Sequence, residues 1–172
     1  LLGAYTSIQN QDNRMLGTWL VYGDKVWLEY YEPKNVLGMG SINISKMTHG
    51  YRNADKRPQQ KGLNDSGDCM LDVDCSVGDD WQEQKEHNKR AVEVIVMNNS
   101  LWSGTLINNT SNDGTPFFLT ADHCMEGNNP STVSFLFDWI SPVPQCATYN
   151  NSQGGPQSMT VSGSILRAAD PL

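Results

Sequence analysis

The sequence predicts an all-β protein built in two parts around a polar linker. Short runs that alternate apolar and polar residues recur along most of it, turn-forming clusters separate those runs, and residues 53–68 hold almost no large apolar side chain. Hydrophobic residues make up 38% of the 172 and charged residues 18%, which suits a globular chain with a core rather than a disordered one.

Residues 1–52 read as a β-rich segment resembling a small sandwich or jelly roll. The opening Leu1-Leu2-Gly3-Ala4-Tyr5 has neither a basic stretch nor an apolar one, so it is not a signal peptide. Trp19 and Val21 alternate with Leu20 and Tyr22, and Gly23-Asp24 follows as a tight turn, where glycine tolerates a positive φ. Val26, Leu28 and Tyr30 then alternate with Trp27, Glu29 and Tyr31 until Pro33, which cannot donate to a ladder. A further strand runs through Ile42 and Ile44 to Met47, ahead of His49-Gly50-Tyr51-Arg52.

Residues 53–68 read as a linker open to a trypsin-like cut. Arg57 precedes Pro58, a poor bond for such an enzyme, which leaves Lys61-Gly62 as the better site. The segments on either side carry opposite charge. Residues 1–61 hold 8 Lys/Arg against 5 Asp/Glu, and residues 62–172 hold 4 against 14. Such segments can dock on one another.

Residues 69–172 return to short strands, as in a sandwich or barrel. Val92, Val94 and Val96 alternate with Glu93 and Ile95. Gly104–Ile107, Phe117–Thr120, Val133–Trp139 and a segment from Met159 to Ile165 follow. Turn clusters at Asn108–Thr115, Glu126–Ser131 and Asn150–Gln157 separate them. Trp81–Arg90 suggests a helical turn or two, polar all round and therefore peripheral.

Several functions are excluded. A net charge of -7 opposes a nucleic-acid surface, because phosphates need a basic patch. No apolar run approaches the ~18 residues of a membrane span. Asp72, Asp74, Ser76, Gly78, Asp80 and Glu83 have the spacing of a calcium loop, yet Val77 stands where the sharp turn needs glycine. A zinc set of His123, Cys124, Cys69 and Cys75 is set aside because adjacent His and Cys rarely both reach one ion. No metal and no cofactor is expected. The four cysteines lack CxxC pairing, and their even number and wide spacing favour disulfides in an oxidising compartment.

The chemistry sits in Phe118-Leu119-Thr120-Ala121-Asp122-His123-Cys124, preceded by Ser103-Gly104-Thr105-Leu106-Ile107-Asn108. A strand running straight into Thr-Ala-x-His-Cys delivers a histidine onto a tight turn with one nitrogen facing a cleft, as a general base requires. The segment resembles the histidine motif of trypsin-like serine proteases, in particular the bacterial lysyl endopeptidase group. Other stretches match that group. Gly67-Asp68-Cys69-Met70-Leu71-Asp72-Val73-Asp74-Cys75 resembles the start of its mature enzyme. Lys89-Arg90-Ala91-Val92, Asn108-Asn109-Thr110 with Asn112-Asp113, Cys146, and Ser162-Gly163-Ser164-Ile165-Leu166-Arg167-Ala168 are further matches. Residues 1–52 look like part of its pro-region.

The resemblance implies an incomplete chymotrypsin-like first barrel over 69–172, preceded by a β-sandwich-like pro-domain segment. It implies a secreted zymogen that hydrolyses polypeptides through a Ser-His-Asp triad, with His123 as general base. The aspartate and serine are expected beyond Leu172, so the 172 residues alone should be inactive. Asp122 and Asp170 are not assigned the orienting role, and neither His49, in a pro-region motif with no assigned job, nor His87, in a polar charged run, is given a catalytic one. Docking of the pro-segment on the protease part, and contact with the secretion machinery, are the implied partnerships. Cys75 is expected to pair with Cys146, and Cys69 with a cysteine outside these residues. The family's partner for Cys124 falls where this sequence has Leu101-Trp102, and packing of Trp102 over the turn is expected in its place. The competing expectation is a non-catalytic secreted β-module with a degenerate protease barrel, acting in binding or assembly.

Overall fold

The computed structural model describes residues 5–9, 12, 14–49, 71–77, 81–97, 100–146 and 154–170. The expected linker, the cut at Lys61-Gly62 and Cys69 lie outside them. From residue 81 the chain runs through helix α1 (Gln82–Asn88), strands β1 (Val92–Met97), β2 (Ser100–Ile107) and β3 (Phe117–Leu119), the one-turn helix α2 (Asp122–Met125), and strands β4 (Ser134–Leu136) and β5 (Thr160–Ser162). The strands form one sheet in the order β3-β2-β1-β4-β5, antiparallel throughout. This is the mostly β, incomplete barrel that the sequence predicts.

Alternation sets the faces. Opposed residues in an antiparallel pair share a face, so Ile95 meets Trp102 on β2 and Phe135 on β4. Ile95, Met97, Cys124, Val133 and Phe135 form the buried core, with Trp102, Phe118, Met125 and Phe137 packed against it. Phe118 and Phe135 meet edge to face at 5.0 Å between ring centroids. Burial of these side chains is the main favourable contribution to the sheet.

The structure adds three details to the strands. β1 turns Glu93, Ile95 and Met97 inward and leaves Val92 exposed. β4 is shorter than Val133–Trp139, because Asp138 adopts φ 51 and its carbonyl accepts from Ile140 N at 2.8 Å, turning the chain out of the ladder. All three residues of β4 are buried: Phe135 faces the core, and Gly17 lies close to Ser134 Oγ on the opposite face.

Helix α1 is present but not wholly peripheral. Lys85 on its middle turn is buried, while Lys89 at its C-terminal cap bonds Asp74 at 3.0 Å and Glu86 at 2.8 Å. The amphipathic stem of a lysine can be covered where its neighbours are packed, which the polar composition of the helix conceals.

The strands expected in residues 19–47 are not formed among the described residues. That segment shows a bend at Gly23-Asp24, with Gly23 at φ 118, and a 3-10 turn at Lys34–Val36. Alternation supplies a face, but a strand also needs a neighbouring ladder, and none of these residues pairs with one. Glu32 instead accepts from Gly38 N at 2.6 Å, Gly40 N at 2.8 Å and Tyr30 Oη at 2.9 Å, which holds its carboxyl below the usual range. Trp19 is the anchor of the segment: it is buried, and its Nε1 donates to Gln157 Oε1 at 3.3 Å. Gly17 lies so close to β4 that a Cβ there would stand 2.6 Å from the Thr132 carbonyl and 3.3 Å from Ser134 Oγ.

The expected Cys75–Cys146 disulfide is present, with its Cα atoms 5.4 Å apart. Hydrogen bonds reinforce it. Asp72 N donates to Gln145 O at 3.0 Å, and Gln145 N donates to Asp72 Oδ2 at 2.8 Å. Asp72 is engaged by Gln145 and Asp74 by Lys89, while Gly78 and Asp80 of the calcium-like spacing lie outside the described residues. Among the described residues no group of three His, Cys, Asp or Glu could hold a metal ion, and no helix is long and apolar enough to cross a membrane.

Glu93 is 2% exposed, and among the described residues neither carboxyl oxygen has a hydrogen-bond partner; the residue opposite it on β2 is Gly104, which offers no side chain. Burial pushes its pKa up to about 7 from the ordinary 4.5. Between those values the folded state holds the proton more tightly than the unfolded state, so stability falls as pH rises through the window. The loss reaches at most about 3 kcal/mol. Glu93→Gln should therefore flatten this pH dependence. In urea titrations the variant should match the wild type near about pH 5 and exceed it near about pH 8; an equal gap at both pH values would contradict the assignment.

Candidate active site

The site is built on the hairpin of β2 and β3. Thr105, Leu106 and Ile107 pair with Leu119, Phe118 and Phe117. The turn between them uses left-handed residues, Asn112 at φ 49 and Gly114 at φ 75, and Asp113 Oδ1 accepts from Asn109 Nδ2 at 2.8 Å and Thr115 N at 2.9 Å. Beyond β3, the Thr120 hydroxyl donates to the Ser103 carbonyl at 2.9 Å. That bond continues the strand pairing for one step after the ladder ends. It fixes where the chain leaves the sheet.

Helix α2 begins at once. Ala121 is extended (φ -72, ψ 144), and its carbonyl accepts from Cys124 N at 3.0 Å. Asn128 closes the other end, its Nδ2 donating to Cys124 O at 2.8 Å. Gly127 at φ 67 lets the chain turn back. One turn of helix points neighbouring side chains in different directions, so Cys124 enters the core while His123 stays exposed.

The structure holds Cys124 as a free, buried thiol. Trp102, from the middle of β2, lies beside the turn, as the sequence suggests. Its ring also reaches the histidine itself, edge on to the imidazole of His123 with centroids 5.4 Å apart and planes at 65°. Among the described residues no hydrogen bond or ion pair joins His123 to Asp122 or Asp170. His49 and His87 are exposed.

The family model for the lysyl endopeptidase C-terminal domain matches residues 63–171. The chain belongs to the lysyl endopeptidase family. It is thus a member of a protease family, whose substrates are polypeptides. The matched span contains the whole five-stranded sheet, the disulfide and the His123 turn.

One feature of the site and one of the strand beside its hairpin escape sequence reasoning. The Thr120 anchor was signalled by the threonine of Thr-Ala-x-His-Cys, but its acceptor lies on another strand. Glu93 is a single charge in the apolar run Val92–Met97, which marks it as unusual without saying which face it takes.

Gly104 gives the hairpin its close approach. A Cβ there would strike the Phe118 ring and stand 2.6 Å from the Leu119 carbonyl, the segment that carries α2. Gly104→Ala should cost about 1–3 kcal/mol of stability by overpacking. Denaturant titration reads this directly, and an unchanged midpoint would show that β3 yields freely.

Proposed function

We propose that residues 69–172 are the His-bearing first barrel of a secreted serine endopeptidase and that His123 is its general base. The observation that carries this is an exposed imidazole on a one-turn helix at the end of a barrel strand, held from beneath by buried Cys124, in a lysyl endopeptidase family member. In this reading His123 takes the proton of a serine hydroxyl as it attacks the scissile carbonyl, then returns it to the leaving amine. The serine and the aspartate that orients the ring come from elsewhere in the full-length polypeptide. Cleavage after lysine is the specificity that the family name suggests. The disulfide fits an oxidising, extracytoplasmic compartment.

Residues 1–52 act as a pro-segment in this scheme. The contacts of Gly17 and Trp19 with β4 and Gln157 support docking on the protease part. The family match starts at residue 63, next to Gly62, which supports a processing boundary at Lys61-Gly62. The second reading, a non-catalytic β-module, is favoured by one observation: Cys124 lacks a cross-link at the turn.

A fluorophosphonate separates the two. The full-length protein, freed of residues 1–61, should take the label at a serine and hydrolyse lysyl peptides. His123→Ala should lower kcat by about 10⁴-fold or more. A protein that folds yet takes no label is the binding module instead.

Maturation has its own readout. N-terminal sequencing of the secreted active form should begin at Gly62. An active form that still carries residues 1–61 would refute the boundary.

A further inference from the structure

We propose that Trp102 is a positioning residue for His123, holding the imidazole in one orientation through its edge-on ring contact. The inference rests on the reading of His123 as general base. The two rings stand 5.4 Å apart at 65°, within the range where edge-to-face aromatic pairs attract. The indole is itself held. It sits on the central part of β2, opposite Ile95, and packs against the core cluster. Among the described residues the imidazole has no other hold, since His123 is exposed and no hydrogen bond fixes its ring; the aspartate of the proposed triad would act on one nitrogen, and the indole on the ring's edge.

The division of labour follows from the geometry. Cys124 inside the core fixes the backbone of α2. It does nothing for the neighbouring imidazole, whose terminal torsion is broad and roughly two-fold. Without a neighbour the ring would spread over several orientations, of which only some present a nitrogen to the hydroxyl. An aromatic pair of this kind biases such orientations by about two- to tenfold. That bias acts on proton transfer rather than on substrate binding, so it belongs in kcat and leaves KM alone.

Histidine ring signals in the isotopically labelled 172-residue chain test the contact. The His123 ring C–H resonances should be displaced by the indole ring current from those of exposed His49 and His87, with His123→Gln supplying the assignment. Trp102→Leu should remove the displacement. Trp102→Phe should keep part of it, and a phenylalanine variant with none would overturn the proposal even if the leucine variant fails to fold. In the active full-length protein, Trp102→Leu should lower kcat about two- to tenfold at constant KM, with Trp102→Phe restoring most of it. A folded Trp102→Leu protein whose His123 signals do not move also overturns it, as does an unchanged kcat in an active wild type. A wild-type protein that takes no fluorophosphonate instead removes the peptidase reading, whatever the ring signals show.

Discussion

Burial of Cys124 among Ile95, Met97, Val133 and Phe135 determines where helix α2 can sit. The helix has one turn and no side-chain cap at Ala121, so its own hydrogen bonds cannot hold it in place. What holds it is a side chain sunk into a core assembled from β1 and β4, two strands that it does not directly extend. The hairpin of β2 and β3 has to bring it there, and Thr120 on Ser103 is the last tether before it arrives. Every property of the histidine, from its exposure to its aromatic neighbour, depends on this seating.

Much of this could be read in the sequence. The alternation at Val92–Met97 and the apolar run at Phe117–Leu119 mark real strands, and Asn108–Thr115 marks a real turn. The histidine motif lies where a strand runs out, as its residues suggest. The unread parts share a cause: each depends on a partner remote in sequence. Val92–Met97 is apolar on both faces except at Glu93, so only the aromatic rings of β2 and β4 decide which side turns in. Asp138 ends β4 through a left-handed φ that no glycine advertises. Residues 19–47 have the period of strands without a ladder to complete them.

Two kinds of fastening divide the barrel between them. The Cys75–Cys146 bond closes a long loop and ties the arm at Asp72 to Gln145, so it acts largely by limiting the unfolded chain. Around Cys124 the same task falls to packing. Packing tolerates small shifts that a covalent bridge would forbid, and it transmits volume changes from any of its members. The neighbourhood of His123 therefore answers to substitutions throughout the core, whereas the arm answers to the redox state.

The seat of Trp19 bears on the proposed maturation. Its indole is buried and bonded to Gln157, and Gly17 abuts β4, so the first segment holds to the sheet through contacts of its own. In the proposed scheme a cut at Lys61-Gly62 would not by itself break the Trp19–Gln157 bond. Scission and shedding would then be separate events, the first set by a protease and the second by the rate at which one tryptophan leaves its berth.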